Sequence, residues 1–565
     1  MTSEDQKTVV RSGVSRRETL YAAGFTLLGG CASAPAAQAT TPARFTSGVA
    51  SGDPTQTSGV IWTRALPDAP ARAATVAFEI AEDPDFGNIL RRGQATTTAE
   101  RDFTVKIDVQ GLQPGATYFY RFQAGAAQSP TGRTRTLPVA GAQSIRLALA
   151  SCANYPSGFY NGYREIAGVA DLDAVIHVGD YIYEYGPDGY DGETGKRIGR
   201  IPDPPHEIVT LDDYRRRFAQ YRADPDLQAA HAHAPFITIW DDHETANNSW
   251  TGGADNHQED AEGAWLARRD AALRAYFEWL PMRDPAPGAA AERLRRVYDF
   301  GDIASLIVIE TRLTGRSRQL SLDETALADP QRFEEETLGD PSRTMMGPAQ
   351  EAWLGEALMQ SRARGMAWQI LGNQTVMGRM RTPDFTTRFP RDVVDAAMAA
   401  GGYSARWLER SKLGLPVNLD SWDGYPAART RLYEQALAAD ARLAVLSGDS
   451  HMFWANNLHH PESGQMVGVE FATAGITSPG GYENFGSDPQ IFATAATGMA
   501  EHNPDIAWAN VRNRGFVLLS VTEEAIEAEY VGLSTITERD YEPMTLLKAR
   551  AETAPGRREL ALDIG

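Results

Sequence analysis

The stretch Ala174–Glu184, AVIHVGDYIYE, decides the fold and the chemistry expected of this chain. Its short apolar, β-branched run predicts a buried strand that ends at Gly179. Asp180 and Tyr183 follow, at the position where an α/β sheet places its ligand-binding groups. A carboxylate and a phenol three residues apart suit a hard, highly charged cation, Fe³⁺ in particular. An isolated G-D-x-x-Y also suits a strand end with a turn aspartate and a core tyrosine.

Other predicted strands end in polar residues in the same way. They are Ile145–Ala150 before Ser151 and Cys152, Phe236–Trp240 before Asp241, Asp242, His243 and Glu244, Ser305–Ile309 before Glu310, Thr311 and Arg312, Trp368–Leu371 before Asn373, Leu443–Leu446 before Asp449 and His451, and Val467–Phe471 before Thr473. Strands that alternate with helical segments are typical of α/β folds. Because such sheets bind ligands at one edge, we expect these polar groups to line a single crevice.

The bulk composition limits the class of protein. The chain has 565 residues, of which 42% are hydrophobic, so it can bury a large core over three or four domains. The net charge of −20 argues against a general affinity for nucleic acid or for anionic membranes. A phosphate ester would therefore need a local source of positive charge, and a bound metal ion is the obvious one.

The N-terminus has the pattern of an export signal. Arg16 and Arg17 precede the short apolar run Tyr21–Leu28, which predicts twin-arginine export and is too short to span a bilayer. Two cleavage sites fit. A lipoprotein box would leave Cys31 lipidated, whereas Ala37–Ala39 would release a soluble protein, and the second is favoured. Either way, Cys152 would be the one free thiol of the mature chain, which would therefore have no intrachain disulfide.

The pattern of residues 45–137 predicts an all-β region. Short strands alternate with turns there, which predicts a β-sandwich. The pattern L-x-P-x-x-x-Y-x-Y-x from Leu112 resembles fibronectin type III domains, and the small residues of Pro138–Gln143 predict a linker. In the second region, Glu259–Leu280 predicts one amphipathic helix with Arg268 facing outward. Asp384–Leu415 predicts an insertion or lid that, with the loop Gly186–Pro205, would set the shape of a pocket.

A family resemblance rests on four ordered motifs. Cys152, Gly179-Asp180-x-x-Tyr183, Asp241-Asp242-His243-Glu244 and Gly448-Asp449-x-His451 together resemble the PhoD-like alkaline phosphatases, which are related in plan to purple acid phosphatases. Further matches, such as Gly347-x-x-Gln350-x-x-Trp353-Leu354 and Ser421–Arg429, extend the resemblance from Phe45 to about Gly532.

The resemblance implies the fold and its domains. It implies an α/β metallophosphoesterase core, a four-layer β-sandwich flanked by helices, behind an all-β fibronectin- or immunoglobulin-like domain. The expected domains are a signal segment over residues 1–39, the β-sandwich over 42–138, the metallophosphatase domain over 144–537 and a C-terminal tail over 538–565.

The resemblance also implies a Fe³⁺ centre with Ca²⁺ beside it. Asp180 would bridge the metals, and Cys152, Tyr183 and His451 would complete the iron site. Asp242 and Asp449 would belong to the calcium side, since carboxylates favour a hard, oxygen-preferring ion. Asn373 is either a neutral ligand or a turn residue, and Asp241 is expected to be structural.

The implied reaction is phosphoester hydrolysis by a metal-activated water, with Asp180, His243 and Arg312 as catalytic residues. His243 would contact the phosphoryl oxygens or protonate the leaving group. Arg312 and Arg429 are either phosphate clamps or scaffold ion pairs. His257 is the remaining histidine with the best claim to a role in the site.

The expected partners are a phosphate mono- or diester and the twin-arginine export machinery, with the membrane only if Cys31 is lipidated. The expected location is periplasmic or secreted. Two alternatives remain open: a phosphodiesterase or phospholipase-D-like activity at the same site, and a non-catalytic cell-surface binding protein.

Overall fold

The strand of the opening stretch lies inside a large sheet. The computed structural model describes residues 40–289, 294–553 and 559–564, so the export segment and Cys31 lie outside the described residues. Ala174–His177 is completely buried and pairs in parallel with Ile145–Ala150 on one side and Phe236–Thr238 on the other. Burial on both faces of the sheet explains why Ala174, Val175 and Ile176 are apolar in succession and do not alternate with polar residues.

Within the described residues the strands are β1 (Ala43–Arg44), β2 (Val49–Gly52), β3 (Ser58–Arg64), β4 (Leu66–Pro67), β5 (Ala73–Ala81), β6 (Ile89–Thr98), β7 (Thr104–Gln110), β8 (Thr117–Ala124), β9 (Ala127–Gln128), β10 (Gly132–Arg135), β11 (Ile145–Ala150), β12 (Ala174–His177), β13 (Phe236–Thr238), β14 (Arg296–Phe300), β15 (Ala304–Val308), β16 (Trp368–Gly372), β17 (Leu443–Ser447), β18 (Phe453–His459), β19 (Met466–Ala472), β20 (Ile506–Asn510), β21 (Arg514–Val521), β22 (Ala525–Leu533), β23 (Pro543–Glu552) and β24 (Ala561–Asp563). The predicted strands of the second region match β11 to β13, β15 to β17 and β19 to within about two residues at each end.

Two of the sheets form the centre of the molecule. One has ten strands in the order β24-β23-β22-β21-β11-β12-β13-β2-β3-β7, and the other has seven in the order β14-β15-β16-β17-β19-β18-β20. Leu147 and Ile176 of the first sheet share one hydrophobic core with Leu306, Ile370 and Leu446 of the second. The two sheets therefore pack face to face as a sandwich.

The helices are α1 (Asn161–Gly168), α2 (Gly192–Ile198), α3 (Leu211–Arg222), α4 (Pro225–His233), α5 (Glu259–Glu262), α6 (Trp265–Trp279), α7 (Glu324–Ala328), α8 (Pro330–Arg332), α9 (Pro348–Ala363), α10 (Phe385–Arg388), α11 (Arg391–Ala400), α12 (Gly402–Ser411), α13 (Pro426–Ala438) and α14 (Pro489–His502). Leu354 of α9 and Leu432 of α13 pack on Ile307 and Val445, whose side chains leave the opposite face of the seven-stranded sheet. Tyr163 and Phe218 of α1 and α3 join the core of the ten-stranded sheet. The predicted four-layer α/β arrangement is thus confirmed. No helix in the described ranges has the length and apolar character needed to cross a membrane.

The helix predicted over Glu259–Leu280 is two helices, α5 and α6. Gly263 lies between them with φ of 83°, a conformation that ends a helix readily only at glycine. The prediction that Arg268 faces outward is wrong. Its side chain is buried and bonds Glu207 at 2.7 Å and Glu262 at 2.8 Å, because these carboxylates supply the partners that a buried guanidinium needs.

The N-terminal β region is joined to the rest of the fold. Strands β5, β6, β8, β9 and β10 form a sheet of their own, and β2, β3 and β7 form the edge of the ten-stranded sheet. The connection is the pairing of Gly52 with Phe236, where a side chain at position 52 would meet the Phe236 carbonyl oxygen at 2.3 Å. At the other end of the chain, the stretch expected as a tail supplies β23 and β24 to the same sheet.

Candidate metal centre

The turns after the central strands carry most of the predicted ligands in an unusual backbone conformation. Cys152, Asp180, Asp449 and His451 all have positive φ, between 55° and 61°. This conformation is uncommon for residues other than glycine and is found where the surrounding structure fixes a functional group. The turns therefore aim these four side chains at the same crevice.

One group of ligand atoms matches the predicted iron set. A ligand atom of each of Cys152, Asp180 and His451 lies within 4.8 Å of the others. The Tyr183 hydroxyl donates to Asp180 Oδ2 at 2.8 Å and lies 3.3 Å from His451 Nε2. Cys152, Asp180 and Tyr183 are each at most 1% exposed. The structure thus brings together the thiol, carboxylate, phenol and imidazole that the sequence singled out.

Two further groups adjoin the first. Asp180, Asp242 and His243 form one, and Asp241, Asp242 and Asp449 form the other, each with ligand atoms within 4.8 Å. Asp180 therefore belongs to two groups, and Asp242 to two. Side chains shared in this way link the three groups into one continuous centre.

Several buried carboxylate oxygens of the donor set have no hydrogen-bond partner. Within the described residues, Asp180 Oδ1, Asp241 Oδ2 and Asp242 Oδ1 are buried without a hydrogen bond. Burial raises the pKa of Asp180 and of Asp449 well above the ordinary value, and the neighbouring carboxylates act in the same direction. Burial likewise raises the pKa of the Cys152 thiol. Buried acids with unpaired oxygens are costly unless a cation compensates them, so these residues fit metal ions.

Arg312 lies inside this centre and not at its mouth. Its side chain is fully buried, pairs with Asp241 through Nε and donates to Asp420 Oδ2 at 2.6 Å. Its Nη2 lies 3.5 Å from Asp449 and 3.6 Å from Asp242. Of the two interpretations that the sequence left open for Arg312, these contacts favour the scaffold ion pair. Asp241, expected to be structural, is its main partner.

Two other predicted residues have their polar atoms engaged elsewhere. Asn373 donates to the Thr375 carbonyl oxygen, and its Oδ1 accepts a hydrogen bond from Trp422 Nε1 at 3.0 Å. Arg429 pairs with the buried Asp423 at 2.6 Å. These contacts favour the scaffold role for Arg429, whereas the second lone pair of Asn373 Oδ1 fits both alternatives for that residue.

His257 also has a structural partner. Its Nδ1 lies 3.0 Å from the carboxylate of Glu262, and its side chain is almost completely buried. Nothing in these contacts connects His257 to the three ligand groups.

His243 is held by a residue that sequence reasoning missed. Its Nδ1 lies 2.7 Å from Glu184 Oε2, and its ring stacks on Tyr183 with 4.1 Å between ring centroids. Burial opposes protonation of His243, but the charges of Asp242 and Glu184 outweigh it and raise the pKa of the imidazole well above its ordinary value. Glu184 ends the opening stretch, so its position after a buried strand was the available signal.

Glu244 ties two of the ligand-bearing turns together. Its carboxylate accepts hydrogen bonds from the backbone N–H groups of Asp180, Tyr181 and Asp241, at 3.2, 2.6 and 2.8 Å. Burial raises the pKa of Glu244 to about 8, although these hydrogen bonds oppose the shift. Glu244, the last residue of the motif Asp241–Glu244, thus links the turn after β12 to the turn after β13 through hydrogen bonds.

The comparisons with known proteins agree with this geometry. Residues 147–530 match the family model "PhoD-like phosphatase", and residues 30–138 match "PhoD-like phosphatase, N-terminal domain". Alkaline phosphatase D of Bacillus subtilis (strain 168) is 35% identical over 508 residues, which cover 87% of this chain and 78% of that protein. A solved structure titled "Structure of PhoD" superposes with a TM-score of 0.76 at 32% identity, over 94% of this chain and 93% of that one. The chain therefore belongs to the PhoD-like phosphatase family.

Proposed function

We propose that this protein hydrolyses phosphate esters at a centre of Fe³⁺ and Ca²⁺ held by the strand-end residues. Membership of the PhoD-like phosphatase family makes the chain a phosphoric ester hydrolase. The observation that carries the metal proposal is the sharing of Asp180 and Asp242 among three ligand groups. Shared carboxylates are what a site for adjacent cations requires, and adjacent cations are typical of enzymes that displace at phosphorus.

The iron side would be Cys152, Asp180, Tyr183 and His451. Burial raises the pKa of the Tyr183 phenol, as it does that of the Cys152 thiol, so neither would ionise without a strong positive charge beside it. A trivalent ion supplies that charge, and thiolate, phenolate and carboxylate together would neutralise it.

The calcium side would be Asp242 and Asp449, with Asn373 as a neutral ligand through the lone pair of Oδ1 that Trp422 Nε1 does not use. Carboxylate oxygens are the ligands that Ca²⁺ prefers. When bound, the cations would polarise the phosphoryl oxygens and lower the pKa of the attacking water.

His243 would act on the leaving group. Glu184 occupies Nδ1, so the imidazole has Nε2 for the substrate. A protonated His243 beside the developing alkoxide can give it a proton, which is the general-acid role. Arg312 would act indirectly, by holding Asp241 and Asp420 in place.

Export by the twin-arginine pathway to the periplasm or beyond is part of the proposal. It rests on Arg16, Arg17 and the apolar run after them. Lipidation at Cys31 would anchor the protein, and cleavage after Ala39 would release it. The mass of the exported protein distinguishes the two outcomes.

The deciding experiment combines metal analysis, a visible absorption spectrum and parallel assays on a phosphate monoester and a diester. We expect coloured protein that contains iron and calcium and hydrolyses at least one of the esters. Active, colourless protein with only zinc or magnesium would contradict the iron site but keep the reaction. Metal-free protein without esterase activity would contradict the proposed function and favour a binding role.

A further inference from the structure

A cavity of about 400 Å³ opens beside the metal centre. Asp449 and Ser450, from the turn after β17, line one end of it. The walls come from the segment predicted as an insertion or lid, which includes Trp407, and from the aromatic residues Trp454 and Tyr482. Pockets of this volume with mostly apolar walls are typical of sites for small organic groups.

The aromatic wall is firmly held. The Trp407 ring stacks on Phe385 with 5.2 Å between centroids, and its edge meets Tyr482 at 5.5 Å and 84°. Such contacts fix ring orientation beyond simple burial. Trp407 therefore presents a preformed apolar face to the cavity.

The aromatic wall is also hydrogen-bonded to the turn that carries Asp449. Trp454 Nε1 donates to Ser450 Oγ at 3.0 Å, and Ser450 directly follows Asp449. One charged group of the wall, Asp423, is neutralised by its 2.6 Å ion pair with Arg429. An apolar group that enters from the metal centre thus meets no unpaired acid at Asp423.

The mouth of the cavity lies at the surface. Tyr403 of α12 lines the cavity and is 56% exposed, and Arg406, one turn further along, is exposed as well. A group bound at Asp449 could therefore extend through the cavity toward solvent. The cavity is placed to receive one substituent of an ester whose phosphorus lies at the centre.

We propose that this cavity binds the alcohol part of the substrate and selects phosphate esters of aromatic or similarly bulky apolar alcohols. The proposal rests on the proposed function, since it takes the phosphoryl group to lie at Asp449. Stacking on Trp407 and contact with Tyr403 would supply the discrimination. A small polar alcohol would leave this apolar surface uncovered and gain nothing from it.

The test compares benzyl phosphate with methyl phosphate, because the two alcohols are similar leaving groups and differ mainly in the ring. We expect kcat/KM to favour the benzyl ester by about tenfold or more, the range that apolar pocket contacts provide. Tyr403→Ala and Trp407→Ala should each reduce this preference and leave hydrolysis of methyl phosphate nearly unchanged. The matched control is Met398→Ala, on the neighbouring helix α11, where the side chain is 40% exposed and does not line the cavity.

A binding measurement tests the cavity independently of catalysis. Benzylphosphonate and methylphosphonate cannot be hydrolysed, and their affinities for the metal-loaded protein are measured by calorimetry. Tighter binding of benzylphosphonate that is lost in Tyr403→Ala would support the cavity. Equal affinities, or a preference that both wall variants retain, would overturn it. If the protein hydrolyses no ester, the proposed function is overturned, and the phosphonate affinities still test the cavity by themselves. Because Tyr403 is exposed, its variant should fold even if Trp407→Ala does not.

Discussion

Glu184 and His243 are joined by a 2.7 Å contact between Oε2 and Nδ1, and both residues are buried. Glu184 also accepts hydrogen bonds from the Asn247 backbone N–H at 2.8 Å and from Asn256 Nδ2 at 2.9 Å. Three contacts therefore hold the Glu184 carboxylate in place, and the carboxylate in turn holds the His243 imidazole. A carboxylate partner of this kind orients the imidazole and favours its charged form.

We expect Glu184→Gln to lower kcat by about 10–100-fold, the loss typical of residues that hold a functional group in place. The amide still accepts a hydrogen bond but does not stabilise the imidazolium, so kcat should fall more than KM changes. The check is a double-mutant cycle with His243→Ala. If Glu184→Gln has the same effect with and without the imidazole, Glu184 does not act through His243.

Asp180→Asn tests the centre of the metal proposal. Because Asp180 belongs to two ligand groups, its loss should remove bound metal and lower kcat by more than about 100-fold, beyond the loss typical of residues that only hold a ligand. Metal analysis and steady-state kinetics on the same sample provide the measurement.

Asp173→Asn is the matched control for that variant. Asp173 directly precedes the strand that Asp180 follows, and it accepts a hydrogen bond from the Arg146 backbone N–H at 2.7 Å. The control should retain its metals and turnover. Full iron content and activity in Asp180→Asn would show that the ligand assignment is wrong.

Tyr183→Phe should shift and weaken the visible absorption if Tyr183 is an iron ligand, because the phenolate-to-iron charge transfer is lost while the Cys152 thiolate keeps its own. Cys152→Ser keeps the phenolate and should shift the band without abolishing it. Absorption spectra at matched iron content make the comparison. A visible spectrum that is unchanged in Tyr183→Phe would contradict phenolate ligation.

Arg312→Gln distinguishes the scaffold role from the phosphate-clamp role. The side chain is fully buried between Asp241 and Asp420, so its removal leaves the buried Asp241 without an ion pair, while Asp420 keeps its pair with Arg316. Such a loss typically costs about 3–5 kcal/mol of stability, and the thermal midpoint should fall. An unchanged midpoint with a raised KM would instead identify Arg312 as a phosphate clamp.

We expect Asp505 to make a pH-dependent contribution to the stability of the protein. Burial by itself would raise the pKa of its carboxyl, but hydrogen bonds from Arg379 and His459 outweigh burial and hold the pKa below its ordinary value. A group with a lowered folded-state pKa stabilises the fold above its unfolded pKa of about 4, and this contribution is lost as the pH falls further. Asp505→Asn should therefore lower the thermal midpoint at pH 7, and the difference from the unmodified protein should shrink below about pH 4. A difference that is constant with pH would exclude this role.

Much of the fold could be predicted from local patterns. Apolar, β-branched runs identified seven strands of the second region, because a strand buried on both faces must be apolar throughout. The resemblance to the PhoD-like phosphatases implied Cys152, Asp180, Tyr183 and His451 as the iron ligands, and their places directly after predicted strands agree with it. The structure does bring these four side chains together.

The sequence by itself thus determined which strands form and which chemical groups lie at their ends. Only the tertiary structure decided how those groups are paired. Arg312 and Asp420 are 108 residues apart, and Glu184 and His243 are 59 apart, so no local pattern predicts that either pair meets. The same holds for the pairing of Gly52 with Phe236, which joins the N-terminal strands to the large sheet. Local periodicity reports which face of a strand or helix is buried, whereas the partner of a buried charge depends on which distant segment the packing brings against it.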